Sequence, residues 1–226
     1  MGEGEVCEER GELDKASMND KLKFHGTITS VQPRIRLLRS FDQRSHSYLG
    51  YVLRIDGTVN NEKKKFRIAV GKGANEKYQF QIGQTLNGEC LPVADPRLEP
   101  AEYYKVSGLK VIIFNEKSNA NPPPWHGIPD TLEVYRKRGH RRLATITYEK
   151  SCTSCIWGCK MPVEMIIDQW NPSNKGYRFE TFCYGPKSCS VYKAGPTRKV
   201  PGRKGMVWEE EDWVDEQETE HRDLDE

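Results

Sequence analysis

The sequence lacks any apolar run long enough to cross a membrane. Its longest unbroken stretch of aliphatic and aromatic residues, Val111–Phe114, is far short of the roughly 20 a spanning helix needs. It also lacks the Gly-Lys-Ser/Thr ending of a phosphate loop, a dinucleotide-binding glycine fingerprint, a His-Glu-x-x-His pair and a nucleophile elbow. The five histidines are isolated from one another, and only His126, beside Trp125, suggests a ligand contact. These absences favour a binding protein over an enzyme. The acidic opening, Met1-Gly-Glu-Gly-Glu-Val-Cys-Glu-Glu-Arg10, has neither the basic nor the apolar region of a secretory signal, which sets the expectation of a cytoplasmic protein with no membrane partner.

Hydrophobic residues are scarce at 36% and net charge is nearly absent at +2, but the second figure conceals a strong sorting. Residues 1–20 carry a net −5 and residues 209–226 a net −10, so the 188 residues between them carry +17. Both ends have too few periodic apolar residues to offset the entropy of ordering, so 1–20 reads as a disordered arm and 207–226 as an acidic tail. Within that tail, Trp208 and Trp213 could dock a small apolar anchor, and beyond Asp215 a free end is expected. An acidic tail tethered to a basic body can compete with phosphate for the basic face. It could also engage a protein partner.

From 21 to 113 the chain reads as β. Phe24–Val31 and Ile35–Arg39 form strand signals that Pro33 interrupts; Tyr48–Ile55, Lys65–Val70, Phe80–Val93 and Tyr103–Ile113 follow. The segment Gly71–Tyr78 allows only a turn or two of helix, between the third and fourth strand regions. This order, with Phe80-Gln-Ile-Gly-Gln-Thr-Leu-Asn-Gly88 leading into the fourth strand, resembles the OB-fold, a five-stranded Greek-key barrel with a helix between strands three and four. The likeness covers about 40% of the chain and implies a small barrel able to bind single strands. Residues 114–130 form a linker stiffened by Pro122-Pro-Pro124. Thr131–Arg138, ending at Gly139, suits a short capped helix at the head of a second module, 131–206.

That module holds five of the seven cysteines within 38 positions. Cys152-Thr-Ser-Cys155 can aim two sulfurs at one ion from a tight turn, and Cys183 with Cys189 can complete a tetrahedral set. A hairpin between the pairs is expected from Met165–Trp170 and Tyr177–Phe182, with Asn171–Gly176 as its turn. In outline this is similar to a zinc ribbon, although five residues separate the second pair where the ribbon has two. The resemblance implies a structural Zn. Cys159 keeps open an iron–sulfur cluster, which takes three close cysteines and one distant, and a thiol redox pair or plain buried thiols are further readings. Cys7 and Cys90 read as ordinary cysteines.

The fold class is therefore mainly β: a small five-stranded OB-like barrel, a small cysteine-rich metal module and few short helices. Arg34, Arg36, Arg39, Lys63, Lys64, Lys65 and Arg67 lie on or beside the barrel strands, and Arg136, Arg138, Arg141 and Arg142 lie beyond it. Interleaved with Tyr48, Tyr51, Phe66, Tyr78 and Phe80, they supply the cations and rings that a single-stranded RNA or DNA binder needs, although at least half of the rings belong to the core. The functional expectation is an accessory nucleic-acid-binding protein with a structural metal. The alternatives are a redox protein with the barrel as scaffold, and an interaction adaptor.

Overall fold

A computed structural model describes residues 21–41, 43–113, 122–210 and 213–223. The acidic arm, Cys7 and most of the Asn-rich part of the linker lie outside the described residues. The chain is mainly β, with one large sheet and a separate two-stranded one.

The first strand, β1 (Leu22–Arg39), organises the molecule. It runs through Pro33 instead of stopping there, and the reason is visible in its register. A bulge between Ile28 and Ser30 inserts one residue relative to its antiparallel partner β2 (Arg44–Val59), and a second irregularity follows between Arg34 and Ile35. The buried positions consequently switch from Phe24, Gly26, Ile28 and Ser30 to Val31, Pro33, Ile35 and Leu37. One extra residue flips every later side chain to the other face. The proline falls between the two irregularities, where a strand can dispense with a ladder hydrogen bond.

β2 pairs with β3 (Glu62–Val70) across Asn60 and Asn61, both in the left-handed region that a tight hairpin turn demands. Helix α1 (Lys72–Tyr78) follows. β4 (Thr85–Pro92) pairs antiparallel with both β1 and β5 (Tyr103–Ile113), and β5 touches β3 in parallel at Tyr103 and Ile68. Strand pairings thus pass from β1 through β2, β3, β5 and β4 back to β1. Phe24, Ile28, Leu53, Ile55, Phe66 and Leu86 pack in the shared core.

The cysteine-rich region continues this body. After the bend at Pro122–Pro124 come α2 (Leu132–Arg138) and the two-residue strand β6 (Arg141–Arg142). The hairpin β7 (Gly158–Ile166) and β8 (Lys175–Cys183) starts immediately after the first cysteine pair, earlier than the sequence suggested. β7 adds to the far half of β1 in parallel, pairing Leu37 with Val163, so the same sheet carries both halves. Tyr135, Trp157, Met161, Phe182 and Tyr184 belong to the same core cluster as the interior of the first five strands. A stiffly tethered pair of modules was expected; one core spans both.

The C-terminal segment also differs from expectation. β9 (Arg198–Pro201) pairs with β10 (Val207–Glu210), helix α3 (Trp213–Thr219) follows, and Arg222 beyond it is 4% exposed, donating to the carbonyls of Tyr184 and Gly185. Its acids are met by arginines from far earlier in the chain, Glu210 by Arg39 and Arg44, Glu218 by Arg44 and Asp215 by Arg142, which a net count cannot show.

Candidate metal centre and nucleic-acid surface

The Cys152–Cys155 turn is held from below by β1. Gln32, itself buried, donates from Nε2 to the carbonyls of Cys152 (2.8 Å) and Cys155 (2.9 Å), and its Oε1 accepts from the Tyr148 hydroxyl (2.7 Å). Ser30 Oγ donates to the Thr153 carbonyl at 2.7 Å. This explains why residues 30–33 are buried in succession: one face of β1 lines the core and the other carries the turn. Gly158 is required where the turn enters β7. A Cβ there would stand 2.6 Å from the Cys152 carbonyl oxygen and 2.7 Å from Gln32 Nε2.

Pairing of Gly158 with Cys183 brings the two cysteine pairs side by side. Cys152 and Cys183 pack in one small cluster with Leu143 and Tyr148. Burial, reinforced by the neighbouring thiols of Cys155, Cys183 and Cys189, pushes Cys152 up to about 12. Burial pushes Cys155 up to about 11, against backbone N–H groups of Trp157, Trp125 and Gly158 that favour its thiolate. Cys183 is raised by burial, opposed by the Gly185 N–H, 3.4 Å from its sulfur, and by Arg141. These shifts come first from burial and hold the thiols protonated, so a cation would have to displace their protons to bind. As placed, the four share a neighbourhood without closing around a centre. Among the described residues no three His, Cys, Asp or Glu side chains form a metal-holding group.

Cys159 is elsewhere. Its sulfur is fully buried against β1 and donates to the Pro33 carbonyl at 3.4 Å. Cys90 is likewise a buried strand residue, with its sulfur 3.6 Å from the Leu22 carbonyl. His126 caps the cysteine turn through Ser154 Oγ at 3.0 Å.

Most of the arginines singled out in the sequence are engaged inside the protein. Arg34 and Arg36 both bind Glu99, at 2.5 and 3.0 Å, and Arg67 binds Glu102 at 2.9 Å. Arg39 lies between Glu180 and Glu210, and Arg142 binds Asp215 at 2.9 Å. Arg136 covers the Tyr48 ring at 4.8 Å. Arg138 covers Trp157 at 4.5 Å and donates to the Tyr184 carbonyl, while Arg141 covers Tyr192 at 3.9 Å and donates to the Pro186 carbonyl. Lys64 reaches Glu62 and the Tyr103 ring; Lys63 and Lys65 project into solvent. Of the interleaved rings, Tyr51, Phe66 and Phe80 are core.

A different surface carries the combination of rings and cations. Between α1 and β5 lies a cleft of about 570 Å³ lined by Lys77, Tyr78, Tyr104 and Lys105. Lys77 Nζ sits 5.0 Å from the Tyr78 ring centre and Lys105 Nζ 5.1 Å from that of Tyr104. Gly71, Gly73 and Gly108 beside it face open space. Lys105 adopts φ +51°, unusual for a lysine, and Gly108 adopts φ +60°, so β5 is bent here. Sequence reading passed over this cleft because Gly71-Lys-Gly-Ala resembles a phosphate loop too weakly and Tyr104-Lys105 looks like ordinary strand.

Searches against family models, curated proteins and solved structures find no significant match to this chain. No described helix is long and apolar enough to cross a membrane.

Proposed function

We propose that this protein is a non-enzymatic accessory factor that binds single-stranded nucleic acid in the α1–β5 cleft of an OB-like barrel and is held together by one zinc ion. The circuit β1-β2-β3-β5-β4-β1, with α1 between the third and fourth strands, supports the barrel reading. The single observation that carries the function is one open cleft that sets two surface lysines, Lys77 and Lys105, beside the Tyr104 ring, with Tyr78, stacked on Phe80, as its wall. Rings on which bases stack and cations that follow the phosphates make a binder tolerant of sequence.

Titration of a labelled oligothymidylate by fluorescence anisotropy tests this. Replacing Tyr104 by Leu keeps its packing on Val52 and Ala69 but removes the stacking face, with an expected loss of about 1–3 kcal/mol, or roughly 5–150-fold in affinity. The pair Lys77→Ala and Lys105→Asn, the latter tolerant of positive φ, should flatten the salt dependence by about 1.4 in log–log slope, or about 0.7 per lost phosphate contact. Unchanged affinity and slope in both variants would place binding elsewhere; absence of binding by the unaltered protein would end the proposal.

For the metal, Cys152, Cys155, Cys183 and Cys189 are the ligands we assign. Cys159, whose sulfur faces the Pro33 carbonyl, is left out of this set. Elemental analysis of purified protein should find one zinc per chain, lost in Cys152→Ser and Cys189→Ser and kept in Cys159→Ser. Stoichiometric iron with sulfide, or zinc retained without Cys189, would refute the assignment.

A further inference from the structure

The C-terminal segment makes contacts that imitate a nucleotide. Trp208 stacks on Phe41 with centroids 5.2 Å apart and planes 28° apart, as a base would on a ring. Two residues on, the Glu210 carboxylate bridges two guanidiniums, Arg39 at 2.7 Å and Arg44 at 2.8 Å, as a phosphate would. Glu218 adds a bond to the second amino group of Arg44 at 2.7 Å, and Asp215 accepts from both the backbone N–H and Nε of Arg142, at 2.8 and 2.9 Å. Beneath them the body supplies Glu180, which faces Arg39, Arg178 and Arg198. Without the C-terminal acids, Arg39, Arg178 and Arg198 would share the one carboxylate of Glu180, and Arg44 and Arg142 would lose their bonds to Glu210, Glu218 and Asp215. A cleft of about 360 Å³ already opens between Phe41, Arg44 and Trp213.

We propose that Phe41, Arg39, Arg44 and Arg142 form a second phosphodiester-binding site, which the C-terminal segment occupies as an internal mimic and which a single strand opens by displacing it. The natural ligand rests on the nucleic-acid reading above; the site itself is tested separately from it. A tethered mimic acts at roughly millimolar effective concentration, so it masks the site from weak ligands and yields to a strand already held elsewhere on the same protein.

The test uses the full chain and labelled oligothymidylate at low salt. Glu210→Gln and Glu218→Gln keep shape while removing a charge-assisted hydrogen bond, and each should tighten binding by about tenfold. Adding Arg44→Ala should abolish that gain. Glu218→Gln alters a partly exposed pair and leaves the buried arginines untouched, so it serves if Glu210→Gln folds poorly. If both variants bind as the unaltered protein does while Lys77→Ala with Lys105→Asn weakens binding, the second site is wrong and the cleft stands. If no form binds the oligonucleotide, the nucleic-acid reading fails and inorganic pyrophosphate decides the site. A rise in melting temperature for Glu218→Gln that Arg44→Ala removes supports a phosphate site; no rise overturns it.

Discussion

Replacing Glu180 by Ala is expected to cost the fold about 3–5 kcal/mol, the range for stripping one partner from a buried ion pair. Glu180 is 1% exposed on β8. Its Oε1 accepts from Arg178 Nε at 2.6 Å, and its Oε2 faces Arg198 at 3.3 Å and Arg39 at 3.6 Å. Burial already pulls Arg198 below the usual guanidinium range, and Glu180 is the main group opposing that pull. With the carboxylate gone, Arg39 and Arg198 would lie buried on a like-charged neighbour, with Glu210 as the main remaining counter-charge for Arg39. Glu180→Gln retains an acceptor for Arg178 and should fall between Ala and the unaltered protein. Urea unfolding at neutral pH measures both, and a loss under about 1 kcal/mol for Glu180→Ala would show that the arginines repartner without it.

Acid should weaken the protein in a window set by two histidines. His46 and His140 meet edge to face at 4.8 Å, and His140 also abuts Phe182 at 4.6 Å. Burial lowers His46 to about 4, with Arg44 and Arg39 adding to the effect. His140 is lowered as well, first by burial, then by His46 and the neighbouring arginines. Both are neutral in the folded protein at pH 7, whereas in the unfolded chain they take up protons near 6.5. The unfolded state therefore binds more protons as pH falls, and stability complete above about pH 6.5 declines toward pH 4. At about 1.4 kcal/mol per unit, His46 alone accounts for a loss on the order of 3 kcal/mol by pH 4. Glu210, whose carboxyl the same arginines lower, loses its charge only below the usual carboxylate range, so its contribution falls later. Denaturant titrations at pH 7 and 5 should differ, and His46→Gln should shrink the difference. Equal stability at the two pH values would show that the pair is hydrated or already charged.

The strands were legible because their signals are local. The β-branched and aromatic runs Tyr48–Ile55 and Lys65–Val70 and the helix from Leu132 to the glycine at 139 depend on neighbours within a few residues. The course of β1 through Pro33 was not legible, since it depends on a bulge imposed by β2. Cys152, Cys155, Cys183 and Cys189 could be grouped by spacing, but nothing in spacing shows that Cys159, four residues after Cys155, bonds instead to the Pro33 carbonyl.

By itself the sequence determined the β-rich character, the short helices, the two close cysteine pairs and the opposition of a basic middle to acidic ends. Only the tertiary structure decided how that charge is used. Arg39 and Arg44 meet Glu210 and Glu218 across separations of 166 to 174 residues, and composition carries no information about contacts at such range. Burial then selects among the cations, because a guanidinium taken out of water must find an acid, whereas Lys63, Lys65, Lys77 and Lys105 remain at the surface where a ligand can reach them.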